Sequence, residues 1–194
     1  MRLLGRGVES ARMNFHDFYR QLFAPLESRL GRLDPNTLFP IMGFDGGGPL
    51  SFNTIGVGQG KRFVTYVSCE LAVRLEQLPS DFGRYELLVS CSDEQWARRW
   101  VTEIGRMSFD KVFGHGHTLD FNGCVDASEP IQGVILEKLY DTRIGENTFG
   151  ILRCIGITRT ELEFARQKGS AEMFARLKKA GLYPHTDPMR CSVI

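Results

Sequence analysis

The sequence predicts a single α/β (α+β) domain, a mixed β-sheet flanked by helices, and three observations carry that prediction. Four stretches rich in β-branched and aromatic residues, bounded by turn formers, read as strands: Phe63 to Leu71, Arg84 to Cys91, Ile131 to Tyr140 and Thr148 to Ile157. Between the second and third, Trp96, Trp100, Ile104 and Met107 recur at helical spacing. No internal repeat, charge block or linker divides the 194 residues. At that length one core buries roughly 70% of the surface the unfolded chain exposes.

Taken in order, Asn14 reads as a helix N-cap. Phe15, Phe18, Tyr19, Leu22, Phe23, Leu26 and Leu30 follow at three- and four-residue spacing, with Gly31 as the stop. Pro25 is expected to kink or split this helix. Asp34 to Gly60 carries three prolines and the triglycine Gly46 to Gly48, and reads as loop with one short strand around Leu50 to Ile55. The tryptophan helix starts with Ser92 as N-cap and Gln95 at the third helical position, a capping box. Thr158 and Glu161 repeat that pattern for the next helix, which ends at Gly169. Ser170 is expected to cap the last helix and Gly181 to end it.

Composition excludes several classes of function. With 24 basic and 23 acidic residues the net charge is +1, so no global field holds a phosphate backbone and no nucleic-acid partner is expected. No run of about 18 apolar residues exists to span a membrane, and no membrane partner is expected. Five cysteines without C-x-x-C spacing point to reduced thiols and a cytoplasmic location. Met1 to Arg12 is basic and lacks the apolar core of a secretory signal. Residues 1–12 are expected to be a disordered extension and 13–194 the domain, with Met13 an alternative first residue.

Candidate chemistry is sparse. His115 and His117, near Asp120 and Cys124, face the same way if extended, but the further ligands of a zinc site are not at a recognised spacing. A turn with glycines at positive φ explains Gly114 to His117 equally well. Pro49 after the triglycine blocks both a P-loop and a dinucleotide site. Cys69, Cys91 and Cys154 lie inside predicted strands and read as core residues, leaving Cys124 as the accessible thiol. Asp93 and Glu94 read as helix-start carboxylates that favour the dipole. The last four residues, Cys191 to Ile194, fit the C-a-a-X prenylation pattern, though no polybasic stretch precedes them. No metal, cofactor or catalytic residue is assigned, and an enzyme is not expected.

An ordered set of motifs resembles the Suppressor-of-fused domain, from roughly Phe39 onward. These are Met42 to Leu50, the strand Val64 to Leu71, Phe82-Gly83-Arg84-Tyr85-Glu86-Leu87 beside the family's F-G-x-E-L, and Gly116 to Leu119. Ile155 to Leu162 resembles V-G-[LIV]-T-x-x-E-L, and Tyr183 to Asp187 with Arg190 resembles T-D-x-x-R. The resemblance implies a mixed α/β sandwich that binds a protein partner. Animal members regulate Hedgehog signalling and carry a second, C-terminal domain, whereas this chain is similar to the free-standing bacterial form. That form is proposed to be an immunity protein neutralising a polymorphic toxin by direct binding; the alternative is a cytosolic adaptor or regulatory scaffold. The animal partner site lies just ahead of F-G-x-E-L. Its tyrosine has no counterpart here, and the corresponding loop is Leu78, Pro79, Ser80 and Asp81, the expected partner-binding residues.

Overall fold

Asn14 caps the first helix as expected, its side chain accepting a hydrogen bond from the His16 N–H. In the computed structural model, which describes residues 14–40, 51–55 and 63–194, this helix (α1) runs over Phe15–Leu30. The expected extension at residues 1–12 and the triglycine Gly46 to Gly48 lie outside the described residues. Pro25 neither splits nor ends α1. Its ring nitrogen has no hydrogen to donate to the Gln21 carbonyl one turn back, and the helix continues through it to Leu30.

Among the described residues seven strands form one sheet in the order β1-β2-β3-β4-β7-β6-β5. They are β1 (Leu33–Pro40), β2 (Ser51–Ile55), β3 (Val64–Cys69), β4 (Arg84–Cys91), β5 (Thr118–Asp120), β6 (Ile131–Ile144) and β7 (Asn147–Thr158). All neighbours are antiparallel except the central β4–β7 pair, which is parallel, so the sheet is mixed. Two strands escaped the sequence reading. β1 contains Pro35 and Pro40, which argue against a strand, yet it is an edge strand with an irregular register, where missing donors are tolerated. β5 is three residues long, too short to show a period. β6 also runs four residues past Tyr140 to meet β7 across the turn Gly145-Glu146.

Among the described residues three further helices flank the sheet: α2 (Glu94–Met107), α3 (Arg159–Lys168) and α4 (Ser170–Lys179). The N-cap of α2 is Asp93, not Ser92. Its carboxylate accepts from the Trp96 N–H, which moves the start by one residue and removes the expected box with Gln95. At α3 the Thr158–Glu161 capping box is present. Gly169 caps both the end of α3 and the start of α4, so Ser170 is the first helical residue rather than a cap.

Strand alternation assigns the layers. Tyr85, Leu87, Val89 and Cys91 of β4 pack with Trp96, Trp100 and Ile104 of α2 on one face. Burying such side chains contributes about 1.5–3 kcal/mol each. On the other face Leu88 and Ile151 meet α1, while Ile155 and Ile157 farther along β7 meet α3 and α4. Arg153 lies between these two clusters on β7, and its guanidinium is paired with Glu137 at 3.1 Å and held by the Tyr183 hydroxyl. The expected mixed sheet flanked by helices is therefore the observed architecture. Among the described residues no helix is long and apolar enough to cross a membrane.

Candidate functional site

The connection from Glu70 to Gly83, between β3 and β4, contains the loop singled out from sequence and is anchored at three points. At its start Glu86, fully buried on β4, accepts hydrogen bonds from Tyr19 Oη (2.7 Å), Ser68 Oγ (2.5 Å) and the Ala72 N–H (2.8 Å). Burial pushes the Glu86 carboxyl up to about 7, and the three donors pull the other way. Tyr19 Oη also accepts from the Glu70 N–H at 2.5 Å, where Glu70 takes a positive φ of 83°. In the middle, the buried Gln77 amide exchanges two hydrogen bonds with the backbone of Tyr85, at 2.9 and 3.0 Å. At the end, Ser80 and Gly83 close a tight turn by exchanging backbone hydrogen bonds.

Two glycines explain why that turn lies flat on the sheet. Gly83 has φ +96° and sits where an added Cβ would be 1.9 Å from the Thr148 carbonyl oxygen. Gly150 leaves room for the Phe82 ring, which an added Cβ would meet at 2.6 Å. The Phe-Gly of the F-G-x-E-L resemblance is thus a packing requirement, and its glutamate anchors the connection.

The four predicted residues fall on the outer half of this connection. Leu78 is half-buried and its N–H donates to the Ser108 carbonyl after α2. Pro79 and Asp81 are exposed, and Ser80 Oγ donates to Asp81 Oδ1 at 2.8 Å. Pro79 and Asp81 line a cleft of about 570 Å³ with Arg84 of β4, and its far wall is Lys138 and Asp141 of β6, Glu146 of the hairpin turn and Asn147 of β7. Lys138 is already matched, 3.1 Å from Asp141 and over the Phe82 ring. Sequence reasoning missed this far wall. It lies some 60 residues away, and only the parallel β4–β7 pairing brings it beside Asp81.

The candidate metal residues are not brought together. His115 is in a turn rather than a strand. Its Nδ1 accepts from the Lys138 N–H and its ring stacks on Phe174. Gly116 has φ +81°, as the turn reading requires. Asp120 is held by Arg159 and Arg166, which keep its carboxyl below the usual range. Among the described residues no group of three or more His, Cys, Asp or Glu side chains is placed to hold a metal. Burial pushes the Cys91 and Cys154 thiols up to about 12 and raises Cys69 as well, so these three are core groups. Cys124 and Cys191 are exposed.

The C-terminal motif is structural too. Arg190 forms a two-pronged ion pair with the buried Glu161, at 2.5 and 2.7 Å, and also reaches the Gly156 carbonyl. Thr186 Oγ1 accepts from the Gly156 N–H, and the Thr186 backbone pairs with Ser90. The Val193 N–H donates to Glu161, so the chain beyond Cys191 is tied to α3.

These features define a three-layer α+β domain with a loop-built cleft at one end of its sheet. The family model of Suppressor of fused protein (SUFU) matches residues 48–191, and the chain belongs to that family. Among solved structures, a chain of the Sufu–Fu complex crystal structure is 15% identical with a TM-score of 0.63, covering 91% of this chain and 89% of that one. A SUFU homologue from Neisseria gonorrhoeae FA 1090 is 16% identical with a TM-score of 0.60, over 92% of this chain and 98% of that one. Drosophila Suppressor of Fused is 15% identical with a TM-score of 0.57, and the match covers 76% of this chain but only 44% of the Drosophila chain. At these identities the likeness is one of fold. A search of curated proteins finds no match.

Proposed function

We propose that this chain is a non-enzymatic, cytoplasmic protein-binding domain that acts as an immunity protein, neutralising a polymorphic toxin by direct contact. Family membership supports the binding role, as does the similarity to a chain solved in a Sufu–Fu complex. The observation that carries the reading is the cleft beside Leu78, Pro79, Ser80 and Asp81. It is a concave site on a rigid connection, and the buried polar groups around it serve the fold. Free cysteines, three of them buried, fit a reducing compartment.

The test is to express a tagged copy at native level in its own host and identify what co-purifies. One protein near 1:1, toxic when expressed alone and harmless beside this chain, is the expected result. Many substoichiometric proteins would favour a cytosolic adaptor instead. Normal growth of a strain deleted for this gene, beside an active toxin, would sink the immunity role.

A further inference from the structure

On the β5 side the sheet ends unevenly. β5 covers only Gly133 to Ile135 of β6, and the segment His115 to His117 continues the contact as far as Lys138. β6 runs on to Ile144, and from Leu139 onward no described residue hydrogen-bonds to the backbone of its outer edge. Leu136 and Lys138 turn their N–H groups outward, to the His117 carbonyl and to His115 Nδ1. A bulge between Lys138 and Tyr140 then shifts the phase by one residue, and Ile144 faces Asn147 across the two-residue turn. In a hairpin closed this way residues alternate inward and outward back from the turn. Asp141 and Arg143 are therefore the residues whose N–H and C=O point away from β7. Bare edges invite pairing, and prolines are one way to block it. β1, at the far edge, carries Pro35 and Pro40, whereas Leu139 to Ile144 contains no proline.

The charges along this edge are antisymmetric about Thr142. One residue out stand Asp141 and Arg143, and four residues out stand Lys138 and Glu146. An antiparallel strand of the same sequence, with Thr142 opposite Thr142, meets each charge with its opposite. A parallel copy in the same register would set like against like. Tyr140 Oη donates to the Leu22 carbonyl and Ile144 is buried against α1, so these two side chains point to the α1 face. Asp141 and Arg143, which alternate with them, share the other face and are both exposed. Asp141 Oδ1 is 3.1 Å from Lys138, and Arg143 has no ion pair among the described residues. A carboxylate has two oxygens and accepts from both cations at once.

Going beyond the protein-binding reading and independently of it, we infer that the β6 edges of two copies of this chain pair antiparallel about Thr142. The outward backbone groups of Asp141 and Arg143 then bond to those of Arg143 and Asp141 in the second copy, with an ion pair across the strands at each. The arrangement is isologous, the same patch serving both copies, and it closes on a two-fold axis. The contact spans Tyr140 to Ile144 on each side, short of the roughly 20–30 residues a side of a standard interface. The dimer is therefore weak and forms as concentration rises.

The test is sedimentation equilibrium of the full chain from micromolar to near-millimolar concentration. Wild type is expected to pass reversibly from monomer to dimer. Arg143→Asp and Asp141→Arg each set like charges opposite one another and are expected to weaken the dimer about tenfold or more. In an equimolar mixture each variant supplies the charge the other lacks, and a heterodimer of about wild-type strength is expected. Both positions are exposed, and thermal melts by circular dichroism check that each variant is folded. A wild-type chain that stays monomeric across the range overturns the inference, as does a dimer that either variant leaves intact. Folded variants that fail to associate when mixed would give any dimer to another surface and overturn it too. None of these outcomes bears on the protein-binding reading, which co-purification tests separately.

Discussion

The Tyr19 hydroxyl donates to Glu86 Oε1 at 2.7 Å, joining α1 to β4 across 67 residues of sequence. The same hydroxyl accepts the Glu70 N–H, so one buried pair fixes a helix, two strands and the start of the connection that carries the cleft.

That pair gives the domain a pH-dependent stability with a definite sign. Burial raises the Glu86 carboxyl from its ordinary 4.5 to about 7, so the folded chain keeps a proton that the unfolded chain has released. Stability from this group is full below pH 4.5 and is lost as pH rises through 7. Between pH 5 and 8 the loss is on the order of 2–3 kcal/mol. Glu86→Gln keeps an acceptor for Tyr19 and Ala72 and gives Ser68 a donor, and is expected to flatten that part of the profile. Urea unfolding of both proteins at pH 5 to 8 checks this, and equal slopes would remove Glu86 from the account.

Arg190 and Glu161 form the buried ion pair of the C-terminal segment, with side chains 5% and 0% exposed. Arg190→Met strands the Glu161 carboxylate without its counter-charge and is expected to cost about 3–5 kcal/mol. The double variant Glu161→Gln/Arg190→Met is expected to cost less than the two single changes added together. A double-mutant cycle by denaturant unfolding measures the coupling, and a cost below about 1 kcal/mol for Arg190→Met would contradict the geometry.

Gly83→Ala tests the turn beneath the cleft. The added methyl group meets the Thr148 carbonyl oxygen at 1.9 Å in a backbone of φ +96°. Gly123 is the control, at φ +80° with nothing within 4 Å of an added Cβ. Gly123→Ala is expected to cost only the left-handed strain, about 1–2 kcal/mol. Gly83→Ala is expected to cost clearly more, lowering the melting temperature by a further 4 °C or so. Equal melting temperatures for the two variants would show that the turn does not press on β7.

The elements that carry strong local signals were legible in the sequence. α1 and α2 announce themselves through spacing, β4 and β7 through β-branched runs, and α3 through a capping box that the fold forms. β1 was hidden because its prolines are acceptable only at a sheet edge, and edge position is a tertiary fact. At the start of α2, Ser92 and Asp93 are both good caps, and sequence alone does not rank them. The same limit applies to the site. Leu78 to Asp81 were reachable through resemblance, but Glu146 and Lys138 come to the cleft only through long-range pairing. Phe82-Gly83 and Glu86 resembled motif letters; their packing and anchoring roles needed the neighbours Gly150, Thr148 and Tyr19.

The parallel pairing of β4 with β7 has a consequence for biosynthesis. A ribosome delivers β1 to β4 first, and β4 then waits with one edge bare while everything from Ser92 to Glu146 is translated. Hydrogen-bonding groups on a bare strand recruit whatever strand comes near, including one from a neighbouring nascent chain. The interval between translating Cys91 and translating Asn147 is therefore the hazardous period in this protein's life, and slow decoding within it should raise the share of product lost to inclusion bodies.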